Sequence, residues 1–180
     1  MNSGIADTPT PRPNLHLVME EAGLLLRPPV PSDGAVLASE LIDPAMGVAT
    51  VADPSVWTRR IALWMTGRSP DDREDWLTWV VVADGRVAGY VQATLSADRR
   101  HAELAWVLFL WAQGRGLATR AARLVAALAV NAGVTDLVAH IEPGHAASEG
   151  VARRIGLAPT DVMFEGEREW RASAGDLSPR

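Results

Sequence analysis

Leu104-Ala-Trp-Val-Leu-Phe-Leu-Trp-Ala-Gln-Gly-Arg-Gly-Leu-Ala-Thr-Arg120 decides how the chain is read. It begins as a run of large apolar residues, too dense for an exposed surface, and breaks at Gln113-Gly114-Arg115-Gly116. Leu117, Ala118, Ala121, Leu124, Val125 and Leu128 then recur at three- and four-residue spacing, the period of a helix. The reading is a buried strand over about 102–110, a glycine turn, and a helix starting near Gly114 and ending at Asn131-Ala-Gly133. Two glycines let the backbone approach a ligand that a Cβ would exclude. The first amides of a helix lack internal partners and lie at the positive end of its dipole, so the turn forms a phosphate seat.

Three kinds of phosphate compete for such a seat. A mononucleotide P-loop needs a lysine after its second glycine, and this chain has no lysine. A dinucleotide fingerprint would run Gly114-x-Gly116-x-x-Thr119, without its third glycine. Its acidic residue would be Asp136, which precedes the next apolar run instead of ending it. The third candidate is the pyrophosphate of coenzyme A, which the rest of the chain favours.

Gln113-Gly-Arg-Gly116-Leu-Ala118 resembles the Gln/Arg-x-x-Gly-x-Gly/Ala signature of the GNAT superfamily of acyl-CoA N-acyltransferases. His145-Ala-Ala-Ser148, running on to Gly156-Leu157, is similar to the family's second signature, with His for Asn and Leu for Phe. Leu24-Leu-Leu-Arg27-Pro28 resembles its first strand, so the likeness spans about residues 24 to 171. Its nearest flavour is the branch that acetylates ribosomal-protein N-termini. The fold implied is α+β, built as a three-layer α/β arrangement. A mixed, mostly antiparallel sheet carries helices on both faces, and its central strands splay apart.

Taken in order, the chain fits that layout. Residues 1–20 are rich in Pro, Thr and Asn and read as a flexible tail before a single domain over 21–172; 173–180 reads as a second tail. A strand at 24–26 leads to a helix from Ser32 or Asp33 to about Ile42, a loop over 43–54 and a helix over about 55–66. In the resembled layout this helical pair covers the acceptor end of a cleft, which makes the loop a candidate lid. Strands follow at 76–83 and 86–95, joined at Asp84-Gly85. After the long helix come a strand at 137–141, a helix at 145–155, and a hairpin of 157–164 with 167–171.

The resemblance assigns the chemistry. The pantetheine arm of acetyl-CoA, the cosubstrate, would lie between the strand before the glycine turn and the strand after its helix. Backbone amides around Leu108, Phe109 and Leu110 would meet the thioester carbonyl, an electrostatic role indifferent to side-chain identity. Gln113 and the amides of Gly114, Arg115, Gly116, Leu117, Ala118 and Thr119 would bind the pyrophosphate. Arg115 and Arg120 would add charge, or else belong to a solvated helix face. Glu103 begins the central strand where the family often holds its base; a surface ion pair with Arg99 or Arg100 is the other reading. His140 and Glu142 are further candidates. Many relatives protonate the leaving thiolate with a tyrosine four residues before the terminal glycine of the second signature. Here that position is Ala152, and the one tyrosine, Tyr90, is elsewhere. Ser148 holds the place where the N-terminal acetylating branch has a serine near the sulfur, and its hydroxyl would bond the leaving sulfur; helix capping is its alternative. His145, in place of Asn, could still donate to the pantetheine.

Composition narrows the rest. Cysteine is absent, which excludes disulfides, thiolate metal sites and a cysteine nucleophile and fits a cytoplasmic protein. No His-x-x-x-His pair or carboxylate cluster has metal-ligand spacing, so no metal is expected. The net charge of −5 makes nucleic acid a poor partner and suits a cationic amine, a small molecule or a peptide. No apolar stretch of twenty residues exists, so no membrane span is expected. A monomer and a homodimer are both compatible. The expected activity is transfer of acetyl to a primary amine in a ternary complex. A CoA-binding regulatory module and a nicotinamide oxidoreductase stand as alternatives. Of the seven tryptophans, Trp57, Trp64, Trp76 and Trp79 crowd the first half and read chiefly as packing.

Overall fold

The computed structural model describes residues 15–41 and 54–177. Eight strands form one sheet in the order β1-β2-β3-β4-β5-β6-β8-β7. They are β1 (Met19–Glu21), β2 (Leu24–Arg27), β3 (Asp75–Ala83), β4 (Arg86–Leu95), β5 (His101–Leu108), β6 (Asp136–Ile141), β7 (Ala158–Phe164) and β8 (Glu167–Ser173). The helices are α1 (Asp33–Glu40), α2 (Pro54–Thr66), α3 (Leu117–Asn131) and α4 (Ala146–Arg154). Every strand pair is antiparallel except β5 with β6, so the sheet is mixed, as the sequence led us to expect.

The sheet separates two cores. On one face α3 lays its apolar stripe, including Leu117, Ala121, Val125 and Ala129, over Leu104, Leu108, Leu137 and Ala139. On the other, α1 and α2 close a smaller cluster in which Leu37, Trp57, Ile61, Trp64, Tyr90 and Phe109 are all buried. Trp57, Trp64 and Trp79 thus do pack as core, whereas Trp76 is half-buried with its indole N–H donated to Glu74. α1 is tied to β2 by a two-pronged ion pair. Arg27 donates to both oxygens of buried Asp33, at 2.8 and 2.6 Å, and the amide of Val30 donates to the same carboxylate. Removing one partner of such a pair typically costs about 3–5 kcal/mol, because the other charge is stranded.

Four expectations change. The tail was to run to residue 20, yet Leu15 is buried, Trp79 donates its indole N–H to the carbonyl of Leu17 at 2.8 Å, and β1 starts at Met19. At the other end the tail was to begin at 173. Instead, Ser173 closes β8 and Leu177 packs on the main core. The central strand stops at Leu108 and not at 110, because Leu110–Ala112 coil into a 3-10 turn. The helix begins three residues after Gly114, since Gly116 adopts the left-handed conformation (φ 73°) and cannot join it. The proposed lid, 43–54, lies outside the described residues apart from Pro54, the first residue of α2.

Candidate active site

β5 and β6 run side by side only at their first residues, with His101, Ala102 and Glu103 opposite Asp136, Leu137 and Val138. Beyond that point they diverge. The cause lies one strand away. Val81 of β3 faces Gly89 and Val82 faces Val87, which leaves Ala88 as an extra residue on β4. Such a bulge bends its strand and increases the local twist. β5 follows β4 through the bend, since Gly89 pairs with Leu108 and the amide of Phe109 donates to the carbonyl of Ala88. A Cβ on Gly89 (φ 145°) would sit 2.0 Å from the carbonyl oxygen of Val107, so only glycine permits this approach.

The divergence opens a cleft of about 820 Å³. One wall is β5 from Leu104 to Leu108, the other β6 from Ala139 to Ile141 with Glu142 just beyond it, and the start of α4 closes it with His145 and Ser148. Amides alternate in direction along an antiparallel strand. Because Phe109 donates toward β4, the amides of Leu108 and Trp106 point the other way, into the opening. The side-chain amide of Gln113 donates to the carbonyl of Leu108 at 2.9 Å, which pins the end of β5 against the glycine turn.

The start of α3 forms the far end of the cleft through Gly114, Gly116, Leu117, Ala118 and Thr119. The first bond inside this helix runs from the amide of Arg120 to the carbonyl of Gly116 at 3.1 Å, and no side chain caps it. The amides of Leu117, Ala118 and Thr119 are therefore left to an anion or to water at the positive end of a fifteen-residue helix. Both glycines have positive φ, and a Cβ on either would meet nothing within 4 Å, so open space adjoins the turn.

Several residues singled out in the sequence sit elsewhere. Phe109 is buried in the smaller core, with its amide committed to the sheet. Leu110 points outward in the 3-10 turn, 44% exposed. Arg115 turns away to Asp84, 2.6 Å distant. Arg120 lines the cleft but also bridges to the carbonyls of Glu21 and Ala22. Two cleft cations went unread: Arg123, which donates to the carbonyl of Arg154 at 2.8 Å, and Arg154 itself. The signal for Arg123 was present, since Gly116, Arg120 and Arg123 follow one another at helical spacing. Arg154 needs the packing of α4 beside α3, which no local pattern reveals.

The acid–base candidates fall into two pairs. Glu103 meets neither Arg99 nor Arg100. Arg99 donates to Asp75, and the carboxylate of Glu103 lies 3.0 Å from Nδ1 of His140. At α4 the cap is His145, whose Nδ1 accepts from the amide of Ser148 at 3.1 Å, so the hydroxyl of Ser148 is spared that task. Tyr90 lies in the smaller core against Trp64, where burial pushes its hydroxyl's pKa up; it does not line the cleft. Ala152 is fully buried.

Residues 23–158 match the profile of the acetyltransferase (GNAT) domain, three quarters of the chain. The chain belongs to the GNAT acetyltransferase family. No curated protein sequence is similar to it at a significant level. Among solved structures, the GNAT chain is similar to RimJ of Mycobacterium smegmatis in complex with CoA-disulfide. The TM-score is 0.72 at 16% identity, over 87% of this chain and 84% of that one. It is similar to RimL, a ribosomal L7/L12 alpha-N-protein acetyltransferase in complex with coenzyme A, with TM-score 0.73 and 12% identity over 87% and 98%. An acetyltransferase of Agrobacterium tumefaciens gives 0.68 at 20% identity over 94% and 99%. No described helix is long and apolar enough to cross a membrane.

Proposed function

We propose that this GNAT domain transfers an acetyl group from acetyl-CoA to a primary amine by direct attack in a ternary complex. The observation that carries the reading is the coincidence, within one cleft, of a parted β5–β6 pair and an uncapped helix start. The pyrophosphate would rest on the amides of the Gly114–Thr119 turn, with Arg120, Arg123 and Arg154 adding positive charge along the rim. Arg115 contributes its backbone only, because its guanidinium is held by Asp84. Pantetheine would run between β5 and β6, where Nε2–H of His145, the nitrogen not used in capping, can donate to it.

The amide of Leu108, with Phe109 and Leu110 fixing the end of the strand behind it, would hold the thioester carbonyl. As the amine attacks, negative charge gathers on that oxygen, and a preoriented N–H stabilises it more than it stabilises the ground state. Collapse expels the thiolate toward the hydroxyl of Ser148. The proton of the incoming amine goes to the Glu103–His140 pair. Coenzyme A release from acetyl-CoA, measured over a panel of peptide N-termini, polyamines and arylalkylamines, tests the proposal. Turnover with at least one amine is expected. Binding of coenzyme A without turnover on any of them would mark a regulatory module instead.

A further inference from the structure

His140 and Glu103 meet where β5 and β6 part, but only one of them faces the cavity. His140 lines the cleft and is 17% exposed, whereas Glu103 stands outside it, 54% exposed, with Oε1 on Nδ1 of the imidazole at 3.0 Å. A carboxylate only accepts, so a neutral imidazole in this contact carries its proton on Nδ1 and keeps its lone pair on Nε2. Nε2 has no partner among the described residues. The ring of Phe164 packs on the imidazole at 5.5 Å between centroids, which limits its rotation from the other side.

Four carboxylates stand on the strand side of the ring, while Arg120, Arg123, Arg154 and His145 line the same cleft from α3 and α4. Glu103 faces it from β5, and Glu169 stands opposite it on β8, itself bonded to Arg171 and Thr160. Glu142 follows the end of β6, and it and Glu167 line the same cleft. Those carboxylates favour an approaching ammonium.

We infer that Nε2 of His140 takes the proton from the acceptor amine, and that Glu103 is a positioning residue that holds the imidazole in the competent tautomer. The inference rests on the acetyl-transfer reading. An ammonium gives one proton to Nε2, and its nitrogen lone pair forms the C–N bond while the carbonyl π pair moves to oxygen. The pair returns, the C–S bond breaks, and sulfur leaves with its electrons. The nitrogen's second surplus proton ends on that sulfur, giving amide, coenzyme A thiol and imidazolium, which returns its proton to water.

The test is the pH dependence of kcat from about pH 5.5 to about 9 for wild type, His140→Gln and Glu103→Gln, with acetyl-CoA affinity measured alongside. His140→Gln is expected to lower kcat about 10²- to 10⁴-fold and to abolish the acid limb at unchanged acetyl-CoA affinity. Glu103→Gln is expected to lower kcat by up to about 10⁴-fold, through the wrong imidazole tautomer, and to keep that limb. Loss of the limb in Glu103→Gln but not in His140→Gln makes Glu103 the base and overturns the inference, as does a wild-type profile for His140→Gln. If the wild type itself releases no coenzyme A with any amine, the transfer reading fails and takes this one with it. Nitrogen-15 NMR of the wild-type histidines needs no variant to fold: a neutral His140 protonated on Nδ1 is expected, and one protonated on Nε2 contradicts the assignment.

Discussion

Ser148 and His145 divide the work at the head of α4. The histidine spends Nδ1 on the amide of Ser148, so the serine hydroxyl, half-buried on the cleft wall, is not consumed by the helix. A hydrogen bond to a charged group is worth about 1.5–3 kcal/mol, or roughly ten- to a hundredfold in rate when it forms only as the thiolate leaves. Ser148→Ala should therefore slow transfer by that factor and leave acetyl-CoA affinity unchanged; an unaltered kcat would remove the sulfur role. His145→Ala should instead cost about 1 kcal/mol of stability, the usual value of a cap, seen as a lower unfolding temperature. Both residues were legible from the second signature, but the division of labour was not. It depends on which side chain reaches the first-turn amide, and histidine is not among the residues favoured for capping.

The element on which the site depends is the bulged β4. Gly89→Ala would force a Cβ against the carbonyl of Val107 at a backbone angle disfavoured for L residues. It should destabilise the fold by about 3 kcal/mol. Chemical denaturation would show this as a lower midpoint, and a midpoint within error of wild type would mean that the β4–β5 approach relaxes freely. Strands, helices and the Asp84-Gly85 turn were readable because alternation, helical period and turn residues are local. Both turn residues indeed have positive φ, 53° and 72°. The bulge was not readable, since Ala88 and Gly89 sit inside an unbroken strand pattern. Nor was the insertion of β8 between β6 and β7, which is a matter of long-range pairing. The end of β5 was overrun by two residues because Phe109 and Leu110 continue its apolar run, although the backbone has already turned.

Across the whole molecule, the N-terminal segment is fastened on β3. Nε2–H of His16 donates to the carbonyl of Thr78, and the ring stands edge-on to Trp79 at 5.4 Å. Burial lowers the pKa of His16 below its ordinary 6.5, only partly offset by the Thr78 bond. The unfolded chain therefore binds this proton at a higher pH than the folded one. The stability held by neutral His16 is complete above about pH 6.5 and falls away as the pH drops below it. Unfolding temperature should thus decline from about pH 7.5 to about 5.5, and more steeply in wild type than in His16→Gln; parallel declines would assign the effect to other groups. That fastening escaped the sequence reading because Leu15-His-Leu17 carries no period of its own. The glycine turn, by contrast, was legible, being written in consecutive residues and in the helical stripe after it. Acetyl-CoA binding depends on that turn gripping a diphosphate, and amide hydrogen exchange with and without coenzyme A tests this most directly. Slowed exchange concentrated at residues 114–119 is the predicted result; coenzyme A binding that leaves those amides unprotected, or no binding at millimolar concentration, would contradict it.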